Sequence, residues 1–305
     1  MNTAKVINII FKGFTALAAL SVIALIGGML VALFYEAWPA IDNFGLFKFI
    51  FSARWDYAGD LYGALRPLAG TVISTSIALI AAVPVALGTA IFLTELCPHK
   101  LRGMIGTAIE LLAAIPSIIY GMWGLFVLAP FLERYFQPLV GASLGSLPLI
   151  GSFFQSKYAG GVNIFTASMV LAVMIVPFIA SIARDAFNQT PPILKESAYA
   201  LGATRWETMA QVVMPFTKSA LAGGIIIAMG RALGETMAVA YVIGNRHAAL
   251  DSLFAPYATI TSVMANEFNE AAGLQMSSLF TLALVLLTAN FLVLSLAKYI
   301  LRPKS

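Results

Sequence analysis

Residues 196–235 read ESAYALGATRWETMAQVVMPFTKSALAGGIIIAMGRALGE. The first half mixes charges with aromatic residues. Glu196 to Leu201 is long enough for two helical turns, and Gly202 is a natural residue to follow a helix end in the left-handed conformation. Thr204-Arg205-Trp206-Glu207 has the spacing of a capping box that opens a second helix. Pro215 is expected where the chain turns toward an apolar span. Such an elbow, presenting Tyr199, Leu201 and Trp206, suits a partner protein's groove. It equally suits an amphipathic helix lying on lipid.

The second half is apolar until Arg231. If a helix starts near Ser219, Arg231 lies about 18 Å along it at 1.5 Å per residue, near the middle of a bilayer core about 30 Å thick. A charge there costs about 2.5–3.5 kcal/mol on insertion scales, so it should face protein or water and have a partner. Glu235 is four residues on and expected on the same helical face. The pair reads either as a structural lock or as a substrate site. Arg before Glu is the weaker order for a helix pair, and a guanidinium offers a planar fork matched to oxyanions.

The surrounding composition requires lipid. Of 305 residues, 60% are hydrophobic and 10% charged, against about a quarter charged in a soluble domain. Mean hydropathy is +0.89. The net charge of +4 is no nucleic-acid signal, because the basic residues are scattered between apolar runs. A lone Cys97 excludes an internal disulfide and offers no metal cluster.

Apolar runs at 14–35, 70–94, 108–132, 162–183, 219–244 and 278–300 each approach the roughly 20 residues that cross a bilayer. They predict an all-α membrane protein of six spanning helices, the first an uncleaved span. With the N-terminus inside, Lys5, Lys12, Lys100, Arg102, Arg184, Lys195, Arg205, Lys218, Lys298, Arg302 and Lys304 face the cytoplasm. Lys48, Arg54, Arg66, Arg134, Lys157 and Arg246 face outward. That bias places both termini in the cytoplasm.

On the second span, Thr71, Ser74 and Thr75 share one helical face; they either satisfy backbone and neighbouring helices or line a path. Pro84, Pro116 and Pro177 are expected inside the second, third and fourth helices, kinking them. The outer stretch 36–69 reads as a solvated loop or a docking surface. In the third outer loop, 245–277, His247 reads as a solvated histidine rather than a ligand. No CxxC, HExxH, GxSxG or phosphate-binding Gly-rich loop occurs, so the chain should not hydrolyse a nucleotide itself.

Two spacings carry a family resemblance. Glu196-Ser197-Ala198, three residues, Gly202, nine residues, then Val212-Val213-Met214-Pro215 resembles the EAA motif of ABC importer permeases. Ser197 stands for an alanine, Val212 for isoleucine and Met214 for leucine. Arg231-Ala-Leu-Gly-Glu-Thr-Met-Ala-Val239 with Ile243-Gly-Asn245 resembles the signature of the phosphate-specific (Pst) ABC importer permeases. Asn266-Glu-Phe268 and Glu110-Leu-Leu-Ala-Ala-Ile-Pro-Ser117 fit the same family. Met237 is more similar to the C-type subunit than to its A-type sister.

The resemblance implies a type I ABC importer permease fold, with residues 1–69 as first helix and outer loop and 70–300 as the permease domain. It implies a non-catalytic subunit of an inner-membrane importer that translocates inorganic phosphate. Glu196, Ser197, Ala198, Gly202, Arg205 and Pro215 would couple to an ATPase, while Arg231, Glu235 and Thr236 would line the substrate path, with Thr71, Ser74 and Thr75 as further path hydroxyls. The implied partners are a PstA-type permease, an ATPase dimer and an extracytoplasmic phosphate-binding protein. ATP would be used by the partner subunit, with no cofactor or metal on this chain. A permease for sulfate or molybdate, or an ion-coupled carrier working alone, are the competing readings.

Overall fold

A computed structural model of the chain describes residues 3–148, 151–155 and 158–300. Lys157, Arg302 and Lys304, counted above for orientation, lie outside the described residues. Eleven helices carry the argument: α1 (Thr3–Phe44), α2 (Leu46–Phe51), α3 (Leu65–Leu96), α4 (His99–Ala113), α5 (Ser117–Leu144) and α6 (Ile164–Asn188). Then follow α7 (Pro192–Ala200), α8 (Arg205–Leu233), α9 (Met237–Val242), α10 (Ile260–Glu267) and α11 (Gly273–Ile300). Strand-like pairing among the described residues is limited to the isolated bridges Asp56–Leu61 and Gly244–Tyr257.

Helices α1, α3, α6, α8 and α11 are each long and apolar enough to cross a membrane, and α4 with α5 makes a sixth, broken span bent by 89°. The expected third helix, 108–132, is therefore not continuous. Pro116 sits at the N-cap of α5, not inside a helix as expected. Its ring has no N–H and excludes a helical carbonyl four residues back, which is that of Leu112. Tyr120 Oη donates to that carbonyl at 2.7 Å, so the bend leaves it satisfied. Pro84 and Pro177 lie inside α3 and α6 as expected.

Four widened, π-type turns interrupt the helices. In each, the residue just before a proline donates five residues back: Cys97 to Phe92, Ala129 to Gly124, Gln137 to Leu132 and Met214 to Met209. Pro98, Pro130, Pro138 and Pro215 follow. Widening by one residue lets the chain accept a proline without a sharp kink.

Helix α6 is the centre: 67% of its apolar window is buried, against none for α1. Its principal neighbour is α3, which offers Ala78, Ala82, Ala86 and Ala90, all fully buried. Alanine every four residues makes a smooth stripe, so the backbones approach closely and gain dispersion contacts, the usual basis of helix association in lipid. A Cβ at Gly124 would lie 2.5 Å from Val170 Cγ2, so α5 also meets α6 through a residue without a side chain.

The outer stretch 36–69 is structured rather than a solvated loop. Helix α1 runs on to Phe44. Phe49, Trp55, Tyr62 and Ala64 then pack with Ala258, Ile260, Val263 and Leu279 in a second core. Aromatic side chains in this segment supply enough apolar area to fold it back onto the bundle.

Candidate functional site: a coupling elbow and a broken helix

The elbow forms as its local sequence dictates. Gly202 has φ +88°; its N–H bonds to the Tyr199 carbonyl at 2.9 Å and that of Ala203 to Ala198 at 3.1 Å. These two bonds close the end of α7 in a Schellman motif, which needs the left-handed residue that glycine supplies. Two residues on, Thr204 Oγ1 accepts from Glu207 N at 3.3 Å and Glu207 Oε2 from Thr204 N at 2.8 Å. That is the expected capping box, and it draws the Glu207 carboxyl below its ordinary pKa through the Thr204 backbone and hydroxyl bonds.

Glu196, Ser197 and Arg205 are exposed and Ala198 half-buried. Ser197 Oγ donates to the Ile193 carbonyl at 2.7 Å. Leu201 is 90% and Trp206 66% exposed, two apolar side chains without a neighbour to cover them. Pro215 does not turn the chain, contrary to expectation. The widened turn before it keeps α8 continuous from the elbow to Leu233.

The fifth span breaks at Gly234. Glu235 and Thr236 lie outside any helix and α9 resumes at Met237. Arg231, in the last turn of α8, and Glu235 therefore do not share a helical face. No carboxylate lies within ion-pair distance of Arg231 among the described residues, and Arg231 is exposed on the isolated chain.

Glu235 caps instead. Its Oε1 accepts from Ala238 N at 3.2 Å, and its backbone carbonyl accepts from Thr261 Oγ1 at 2.7 Å. Thr236 Oγ1 bonds to the Gly234 carbonyl at 3.3 Å. Every broken helix in lipid must re-satisfy its freed backbone groups, and here hydroxyls and a carboxylate do so. The guanidinium keeps its donors.

Thr236 and Gly234 also line a cavity of about 650 Å³ with Met29, Thr261, Asn269 and Asn290. Thr71, Ser74 and Thr75 are buried in α3, away from that cavity's lining. Thr71 Oγ1 donates to the Pro67 carbonyl at 2.9 Å and accepts from Ile260 N at 3.0 Å, fixing the start of α10. Ser74 Oγ donates to the Thr71 carbonyl at 3.3 Å. Thr75 Oγ1 has no partner among the described residues.

A cluster at the opposite end from the elbow escaped the sequence reading. His247, expected in solvent, is 12% exposed at its side chain, its Nε2 3.0 Å from Glu267 Oε1. Its ring stacks on Trp55, centroids 5.5 Å apart, and Trp55 Nε1 donates to Glu267 Oε2 at 3.0 Å. Burial works against ionisation of Glu267, but hydrogen bonds from His247, Tyr57 and Trp55 outweigh it and hold the carboxyl below its ordinary pKa. Desolvation, with the Asp60 bond, pushes Tyr62 up to about 12. The signal lay in the residue types alone: two aromatics, a histidine and a carboxylate on three separated segments.

The family model described as "Binding-protein-dependent transport system inner membrane component" matches residues 86–303. A phosphate transport system permease protein PstC of Mesorhizobium japonicum is 51% identical over 96% of this chain and 89% of its own length. The PstC of Haemophilus influenzae is 50% identical over 96% and 92%. Among solved structures, a bacterial alginate ABC transporter in complex with its pentasaccharide-bound periplasmic protein matches with a TM-score of 0.63. That match covers 99% of this chain and 98% of the other at 15% identity. An inward-facing MetNI methionine ABC transporter matches with a TM-score of 0.52 over 77% and 90%, at 17% identity. At these identities the likeness is one of fold.

Proposed function

We propose, from the premise that this chain belongs to the binding-protein-dependent transport system inner membrane component family, that it is a permease subunit of an ATP-driven importer of inorganic phosphate. The fold is that of a type I ABC importer permease, all-helical and multi-pass. The chain is a non-catalytic inner-membrane subunit. Substrate identity rests on its similarity to PstC permeases along nearly its whole length.

The observation that carries the reading is a continuous α8. The elbow's second helix and the helix bearing Arg231 are one element, about 39 Å from Arg205 to Arg231 at 1.5 Å per residue. A push that passes the short turn 201–204 is thus delivered from Arg205 to the guanidinium without crossing a further loop. Two copies of a separate ATPase subunit would close on ATP and displace Glu196 to Gly202, with exposed Leu201 and Trp206 seated in the ATPase. A second permease of the A type would complete the path, and an extracytoplasmic phosphate-binding protein would deliver the anion at the far end. Both termini then face the cytoplasm. ATP serves the partner subunit and no cofactor is held here.

At the break, Arg231 attracts the phosphate, its planar donors matching the oxyanion. Glu235 holds the break open by capping α9, and its negative charge nearby limits how tightly the anion is retained. Thr236 offers a hydroxyl beside them. Thr75, without a partner among the described residues, is the candidate path hydroxyl of its trio; the Thr71 and Ser74 hydroxyls already bond backbone.

Labelled phosphate uptake into proteoliposomes holding the chain, its partner subunits and ATP tests this, with excess sulfate as competitor. ATP-dependent uptake indifferent to sulfate is the expected result. Uptake that follows sulfate overturns the substrate, and phosphate entry without the ATPase overturns the coupling.

A further inference from the structure

Helix α7 buries none of its residues, and its tie to α3 is made by a side chain. Lys195, just ahead of Glu196, places Nζ 2.6 Å from Glu95 Oε1, with the two side chains only 22% and 15% exposed. Glu95 belongs to the widened turn Phe92–Leu96 that ends α3. Arg102 of α4 grips the same turn, donating through Nη2 to the Thr94 carbonyl at 2.7 Å. Packing does not join α7 to α3: α7 packs on the start of α8 and its widened turn, while a gap of about 630 Å³ lined by Thr94, Glu95, Arg102, Tyr199, Thr204 and Arg205 separates the elbow from α3.

Helix α3 then runs as one 32-residue element to the other end of the bundle. There Thr71 Oγ1 takes the N–H of Ile260 at 3.0 Å. The next residue, Thr261, donates to the Glu235 carbonyl in the break at 2.7 Å. The elbow therefore reaches the break by two routes. One is covalent, along α8. The other passes through the ion pair, α3 and α10.

We propose that the Lys195–Glu95 pair is the joint through which elbow displacement moves α3, so that both routes shift together and the break opens only when the ATPase closes. Lys195 and Glu95 are positioning residues; neither touches substrate. Without the joint, the elbow would slide into the gap beside it and ATP would be hydrolysed without movement of α3. The proposal rests on the ATP-driven reading above.

The test uses the complete transporter in proteoliposomes, with Glu95→Lys, Lys195→Glu and the double exchange, reading labelled phosphate taken up per ATP hydrolysed. Each single reversal should lower that ratio about tenfold, a typical size for coupling between sites, while the complex still assembles and hydrolyses ATP. The double exchange should restore most of it. A purely structural pair would lower uptake and hydrolysis together, so an unchanged ratio in the single variants overturns the joint, as does a double exchange that fails to recover. Wild-type vesicles in the same series keep the two readings apart: no ATP-driven phosphate uptake there sinks the parent reading. A transporting wild type with unaltered variants sinks the joint alone.

Discussion

Thr261 Oγ1 donates to the backbone carbonyl of Glu235 at 2.7 Å, tying α10 to the break between α8 and α9. The bond matters because the carbonyl lies in the break, outside either helix, and takes no backbone N–H among the described residues. Thr261→Val keeps the shape and removes the donor. An orphaned buried carbonyl costs about 1–3 kcal/mol, so the purified complex should melt at lower temperature and transport less. Thr261→Ser should keep both properties near wild type. Equal melting of the Val and Ser variants would refute the assignment.

Tyr120 performs the same service at the other discontinuity, donating to the Leu112 carbonyl freed by Pro116. The same carbonyl also accepts from Ile115 N at 3.3 Å, so Tyr120→Phe removes one of two donors and should cost about 0.5–1.5 kcal/mol in thermal unfolding of the complex. Exposed Tyr135 is the control, and Tyr135→Phe should leave the melting temperature unchanged.

The Glu267 cluster gives a pH dependence. Its carboxyl titrates below the ordinary value of 4.5 in the folded chain. A depressed carboxylate contributes stability that is complete above the unfolded pKa and is lost as pH falls through the folded one. The melting temperature of wild type should therefore exceed that of Glu267→Gln at neutral pH, and the difference should shrink as pH drops below the ordinary carboxylate range. A difference that grows on acidification would contradict the hydrogen-bond account.

Much of this architecture is legible in the residues. The apolar spans are visible because lipid demands them, and the elbow because its bonds are local: Gly202 closes α7, and Thr204 and Glu207 bond across three residues. The break at Glu235 is not legible in the same way. Its carbonyl is satisfied by a threonine 26 residues on, so a continuous helix looked equally permissible. His247 looked solvated because its partners Trp55 and Glu267 are themselves 212 residues apart. The widened turns precede Pro98, Pro130, Pro138 and Pro215 but not Pro84 or Pro177, so proline permits the turn and tertiary packing decides it.

Gly202 offers a test confined to the elbow. A Cβ there meets nothing within 4 Å, and φ is +88°, so substitution acts through backbone strain alone. Gly202→Val should cost about 1–2 kcal/mol of local order and lower ATP-dependent uptake, while Gly202→Asn, which tolerates left-handed backbone better, should lose less. Equal uptake by the two variants would mean that elbow geometry is not limiting.

The central claim is that Arg231, with no acidic partner among the described residues, captures the transported anion at the end of α8. The decisive measurement is labelled phosphate uptake by the reconstituted transporter carrying Arg231→Gln, with assembly and ATP hydrolysis followed in the same vesicles. The account predicts an assembled complex that still hydrolyses ATP but no longer accumulates phosphate. Uptake at the wild-type rate would contradict it.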